Sequence, residues 1–236
     1  MAIIIDALYL AKKDLVLEFR KKETLFSMGL FSFAAVLILS LLINIINSIP
    51  DITLVNKFSI SNSISAASLW FIITFTVMLG LTSVFSREMK RSSIYSLLSL
   101  SIKPQAIFLG KILYLGVILA IIEILTIILA FVFLRMDIQG DTLFFILILT
   151  CGTFDLAVAG CIVSFLTIYA KSKTLAIPIL FFPLILPSIL IATQTTISLV
   201  QDYEPMAIIT NALLLVIHSI IIITFALLII DELLSE

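Results

Sequence analysis

From its N-terminus the chain alternates long apolar runs with short polar breaks. The runs are too long and too evenly apolar to be single faces of a soluble core. Six of them have the length of roughly 20 residues that a helix needs to cross a bilayer core. They cover residues 25–46, 66–85, 106–134, 143–170, 175–199 and 206–230. The breaks hold loop residues: Asn47, Ser48, Pro50 and Asp51; then Arg135 to Asp141 with Gly140; then Lys171 to Lys173; then Gln201 to Pro205. The third and fourth runs exceed the minimum, which implies tilt or extension beyond the lipid. The pattern predicts an all-α membrane protein, one domain over 1–236, with six transmembrane helices.

Two stretches outside the spans keep a helical period. In residues 1–22, Ile4, Leu8, Ala11, Leu15 and Phe19 recur on one side while Asp6, Lys13, Asp14 and Arg20 face elsewhere. This predicts an interfacial helix with its apolar side in the acyl boundary, the alternative being a short cytoplasmic helix packed on protein. Between spans two and three, Ile94, Leu97, Leu98 and Ile102 fall on one face, and Ser92, Ser93, Ser96 and Ser99 on the other. Arg87, Lys90, Arg91, Lys103 and Lys111 surround this short amphipathic helix. Topology alone accounts for the cations. The ordered apolar face needs a surface to pack on, which points to a partner protein. Pro104 then suits the first turn of the next helix, where its missing N–H costs little.

Charge settles sidedness. The chain is 62% hydrophobic and 12% charged, and has only 14 Lys and Arg. In a six-span arrangement twelve of these fall on one side, leaving Lys57 and Arg135 on the other. The positive-inside rule then puts both termini in the cytoplasm, and the expected location is a cell inner membrane. Cys151 and Cys161 lie within an apolar run and read as packing residues, not as a disulfide.

Chemistry inside the spans is sparse. Glu123 and Asp155 sit at similar depth in antiparallel spans, where a carboxylate costs about 2.5–3.5 kcal/mol on insertion scales and should find a partner. They are expected to share one polar cluster, the alternative being that a Thr or a backbone carbonyl satisfies each separately. His218, the only histidine, could ligate haem iron but reads first as a hydrogen-bonded packing residue. Trp70 is expected as an interfacial anchor at the outer end of span two. Pro178, Pro183 and Pro187 are expected to kink or break span five, with Thr193 to Thr196 near an outer vestibule. Gly152 and Gly160 read as close-packing sites. No P-loop is present, because Gly110-Lys111 lacks the earlier glycine and is followed by Ile112. Without a nucleophile triad or a metal-ligand spacing, the chain reads as no enzyme. No basic tract points to nucleic acid.

These features together resemble a type-2 ABC permease, and more narrowly the CcmB family of cytochrome c maturation. The resemblance runs over nearly the whole chain. It rests on Leu69-Trp70, Phe85 with Glu88, the run from Ile94 through Leu97-Leu98 to Gly110-Lys111, Glu123, Gly152-Thr153 and Gly160. It continues in Pro178, Pro183 and Pro187, leading to Ile191-Ala192-Thr193. The resemblance implies that residues 92–102 form a coupling helix on a separate ATPase subunit, with Glu88, Arg91, Ile94, Tyr95, Leu97, Leu98 and Ile102 at the contact. Where the family carries a glycine and a leucine–glutamate pair, this chain has Ser92, Ile94 and Tyr95, so an acidic groove on the partner would suit its cations. Asp155 falls where the family usually has a small or neutral residue.

The implied partners are the ATPase CcmA, a second copy of the chain, the haem-handling CcmC, the small subunit CcmD and the haem chaperone CcmE. The implied role is haem export or delivery, with ATP on the partner, haem as the complex's possible substrate and no cofactor on this chain. Another type-2 exporter, for a lipid, drug or polysaccharide, would look alike, and an assembly scaffold is the third reading.

Overall fold

A computed structural model of the chain describes residues 2–48, 54–84, 103–138, 140–167, 172–200 and 205–233. The described residues form helices α1 (Ala2–Lys21), α2 (Glu23–Ser48), α3 (Leu54–Val84), α4 (Pro104–Leu129), α5 (Thr142–Leu166), α6 (Lys173–Val200) and α7 (Pro205–Leu233). A π-helical turn, Ala130–Leu134, prolongs α4. Six stretches are long and apolar enough to cross a membrane: Glu23–Ser48, Ile60–Leu81, Pro104–Leu134, Thr142–Leu166, Leu175–Val200 and Pro205–Ile229. The all-α, six-span expectation therefore holds.

Local chemistry sets several of the ends. Pro104 opens α4 behind an extended Lys103, and the Asp141 carboxylate caps α5 by accepting the Leu143 N–H at 2.9 Å. Lys22 (φ 56°) separates α1 from α2 in the left-handed region, and Arg135 (φ 51°) ends the π turn the same way.

Helix α5 is the centre of the bundle. Within its span 72% of residues are buried, against 22% for α2 and 28% for both α6 and α7. It packs on α3, α4, α6 and α7. Its composition allows this: Gly152, Ala157, Ala159, Gly160 and Ser164 let neighbouring helices approach closely, the usual device where lipid supplies no hydrophobic drive between helices. The outward faces carry large apolar side chains such as Phe26, Ile38, Leu41, Leu213, Ile221 and Leu228. In water this surface would aggregate; in a bilayer it meets its solvent.

The structure departs from the sequence expectations at three elements. Span two was expected from residue 66, but α3 begins at Leu54 and its apolar stretch at Ile60. Some of the polar residues that resembled a loop find partners in and beside the helices. Ser65 Oγ donates to the carbonyls of Ser61 (2.9 Å) and Leu134 (3.1 Å), and Asn62 Oδ1 accepts the Asp137 N–H at 3.4 Å. In consequence Trp70 lies in mid-helix and is buried, not an interfacial anchor.

Helix α6 does not break at its prolines. It continues through Pro178, Pro183 and Pro187 to Val200, so Thr195 and Thr196 are buried in the bundle instead of lining an outer vestibule. Each proline removes one N–H and strands one carbonyl four residues earlier, while the bonds on either side persist.

Helix α1 also differs. Ala7, Ala11, Asp14 and Glu18 form its buried face, packed on α4, whereas Ile4, Leu8 and Phe19 are exposed with Ile5, Tyr9 and Val16. Asp14 thus faces protein, not solvent. The apolar residues are turned outward, the arrangement that a lipid boundary favours.

Candidate functional site

Among the described residues, three buried polar clusters stand out in the apolar bundle. The first joins α5, α6 and α7. Asp155 is fully buried, and both of its oxygens lie near His218 Nδ1, Oδ2 at 2.9 Å and Oδ1 at 3.1 Å. Ser219 Oγ donates to Asp155 Oδ1 at 2.7 Å, and Ser188 Oγ is 2.9 Å from His218 Nδ1. Every carboxylate oxygen is engaged, as burial of a charged group demands. The histidine side chain keeps 22% of its surface exposed.

The second cluster joins α4 and α5. Thr153 Oγ1 donates to Glu123 Oε1 at 2.6 Å. Beside it is a cavity of about 10 Å³, room for one water, lined by Ile73, Thr76, Leu119, Ile122, Glu123 and Thr126. The Thr76 and Thr126 hydroxyls donate to the Ile72 and Ile122 carbonyls at 2.7 and 2.8 Å. They therefore offer lone pairs to whatever enters. Ser32 of α2 closes the cluster at 2.6 Å from Thr126 Oγ1.

Glu123 and Asp155 do not share one site, contrary to the sequence expectation. Glu123 is bonded to Thr153, and Asp155 lies two residues further along α5. That spacing turns successive side chains by about 200°, onto nearly opposite faces of the helix. Each carboxyl has its own partners.

The third cluster was not anticipated. Lys111 Nζ of α4 is 2.8 Å from Asp14 Oδ2 of α1, and both side chains are at least nine-tenths buried. One turn away, Tyr114 Oη donates to Glu18 Oε2 at 3.0 Å, with Glu18 fully buried. Gly110 allows the approach: a Cβ there would lie 2.9 Å from the Ala7 carbonyl oxygen. The sequence signal was Ala7, Ala11, Asp14 and Glu18 at spacings of four and three, a stripe of small and acidic residues facing Gly110-Lys111.

Two further contacts fix α5. The Trp70 ring lies against Gly152, where a Cβ would run into it, and Trp70 Nε1 donates to Thr196 Oγ1 of α6 at 2.8 Å. A Cβ at Gly160 would lie 2.5 Å from Leu81 Cδ2. Both glycines are close-packing positions.

The expected coupling residues Glu88, Arg91, Ile94, Tyr95, Leu97, Leu98 and Ile102 lie outside the described residues. Among the described residues no group of three or more His, Cys, Asp or Glu side chains could hold a metal ion. Among the described residues, the polar clusters join neighbouring helices within the apolar bundle.

Neither a curated protein nor a solved structure matches the chain. A family comparison, in contrast, matches residues 5–229, nearly the whole chain, to the family described as CcmB protein. With six apolar spans, one of them the small-residue helix at the centre of the bundle, the chain belongs to the CcmB family, the membrane permease subunits of the haem-exporter ABC complex in cytochrome c maturation.

Proposed function

We propose that the chain couples ATP hydrolysis on a separate cytoplasmic ATPase subunit to haem handling, or to release of the loaded haem chaperone, at the inner membrane. The observation that carries this reading is the family match over residues 5–229. The family consists of permease subunits, not enzymes, and works in a complex with the ATPase CcmA. A second copy of the chain, CcmC, CcmD and CcmE are the further partners proposed here. Both termini lie in the cytoplasm in this reading, because the cations crowd one side of the bundle.

Force enters at residues 92–102, where Leu97 and Leu98 dock in the ATPase and the surrounding cations face an acidic groove. This segment leads directly into α4, which carries Lys111 and Glu123. A push on it therefore reaches the α1 clamp and the Glu123 cluster along one helix. Leu97→Asp in the assembled complex separates coupling from scaffolding. The expected result is retained co-purification of the ATPase with ATP-dependent release lost. Full release with that variant would leave only a scaffold role.

A further inference from the structure

Among the described residues, the Asp155–His218 pair engages one nitrogen of the imidazole, Nδ1, and leaves Nε2 without a hydrogen bond. Nδ1 points inward, to Asp155 Oδ2 at 2.9 Å and Ser188 Oγ at 2.9 Å. In the neutral tautomer that donates Nδ1–H to the Asp155 carboxylate, Nε2 keeps its lone pair. Among the described residues, every hydrogen bond of the ring runs through Nδ1. Nε2 sits on the opposite edge of the ring, and the side chain keeps 22% of its surface exposed. A histidine whose inner N–H is held by a buried carboxylate and whose outer nitrogen is free has the arrangement found in metal-ligating histidines, with ring orientation fixed and basicity raised.

The surroundings narrow the ligand. Leu214, Ile217 and Ile221 flank His218 on α7 at i−4, i−1 and i+3, and each is 44–60% exposed. A hydrated metal ion would find no second ligand on such a surface, since no further His, Cys, Asp or Glu joins the pair among the described residues. An iron porphyrin carries four ligands of its own, needs one axial nitrogen, and has an apolar face to lay against these aliphatic side chains. We propose that His218 Nε2 is an axial ligand for the iron of a haem lying against α7 from the lipid side, with Asp155 as the positioning residue. This rests on the haem-handling reading above and assigns the chain its own contact with the cargo.

The test uses the full chain in lipid vesicles, titrated with ferric protoporphyrin IX and separately with metal-free protoporphyrin. The expected result is a red-shifted Soret band for the wild type, with affinity reduced at least tenfold in His218→Leu. Metal-free porphyrin should bind both chains alike, which shows that the variant is folded and its apolar surface intact. Asp155→Asn should keep a bound band with a shifted reduction potential, a readout that loss of packing alone would not produce. Equal haem binding by wild type and His218→Leu, or no protein-dependent band at all, overturns the proposal. Co-purification of the ATPase is scored on the same variants; if it persists while haem binding fails, the ligand assignment falls and the permease reading stands.

Discussion

A Cβ on Gly152 would enter the Trp70 ring, and that ring is itself held by its bond to Thr196. Gly152→Ala should therefore destabilise the bundle by about 1–3 kcal/mol, the usual cost of overpacking. Gly116 is the control, since a Cβ there meets nothing within 4 Å. Gly116→Ala should be neutral or stabilising by up to about 1 kcal/mol through helix propensity, and thermal unfolding in detergent compares the two. Glu123 gives a second residue-level contrast. Glu123→Gln keeps an acceptor for Thr153, whereas Glu123→Ala strands a buried hydroxyl at about 1–3 kcal/mol. Full complex activity in Glu123→Gln would remove the carboxylate from the mechanism and leave it a structural acceptor. At this scale the sequence showed which residues were unusual but not what they touch. Glu123 and Asp155 stood out by cost of burial; their separate partners, Thr153 and His218, depend on helix rotation, which depth along a span does not reveal.

Among the elements, α1 was the least legible. Its apolar period marks it as amphipathic, yet both faces are occupied: one by lipid-type side chains, the other by Ala11, Asp14 and Glu18 set against α4. Acidic residues look solvent-facing in a sequence unless their cation is known, and Lys111 lies almost a hundred positions away. Lys111→Met should cost about 3–5 kcal/mol by leaving buried carboxylates without their counter-charge, while Asp14→Leu/Lys111→Met should recover much of that loss. Chemical or thermal denaturation of both variants gives the coupling between α1 and α4 directly. Equal losses in the single and double variants would mean that the ion pair is not what joins them. Helix α3 was shortened in the sequence reading because serine and asparagine resemble loop residues. Their bonds to Ser61, Leu134 and Asp137 are tertiary facts. The prolines of α6 misled in the opposite direction, since each interrupts one bond of a 28-residue helix and the others carry it through.

For the whole molecule, hydrophobic length and charge asymmetry carried most of the information. Run length suffices to define spans because every backbone polar group in lipid must be satisfied internally. Burial of Lys111 removes it from the free cytoplasmic cations, and eleven of the original twelve still oppose Lys57 and Arg135. A green fluorescent reporter fused after Glu236 should accordingly fluoresce, and a periplasm-specific enzyme reporter at the same point should stay inactive. The reverse pattern would invert the topology and with it the docking side of residues 92–102. Coupling is a property of the assembled complex. Its most direct test is purification of the tagged chain in mild detergent from cells co-expressing its partners, with the Soret band recorded before and after ATP. The account predicts a co-purifying ATPase and a haem-bearing partner, with loaded chaperone released on ATP. An ATPase without haem or haem-handling chains would contradict it and place the chain with exporters of another substrate.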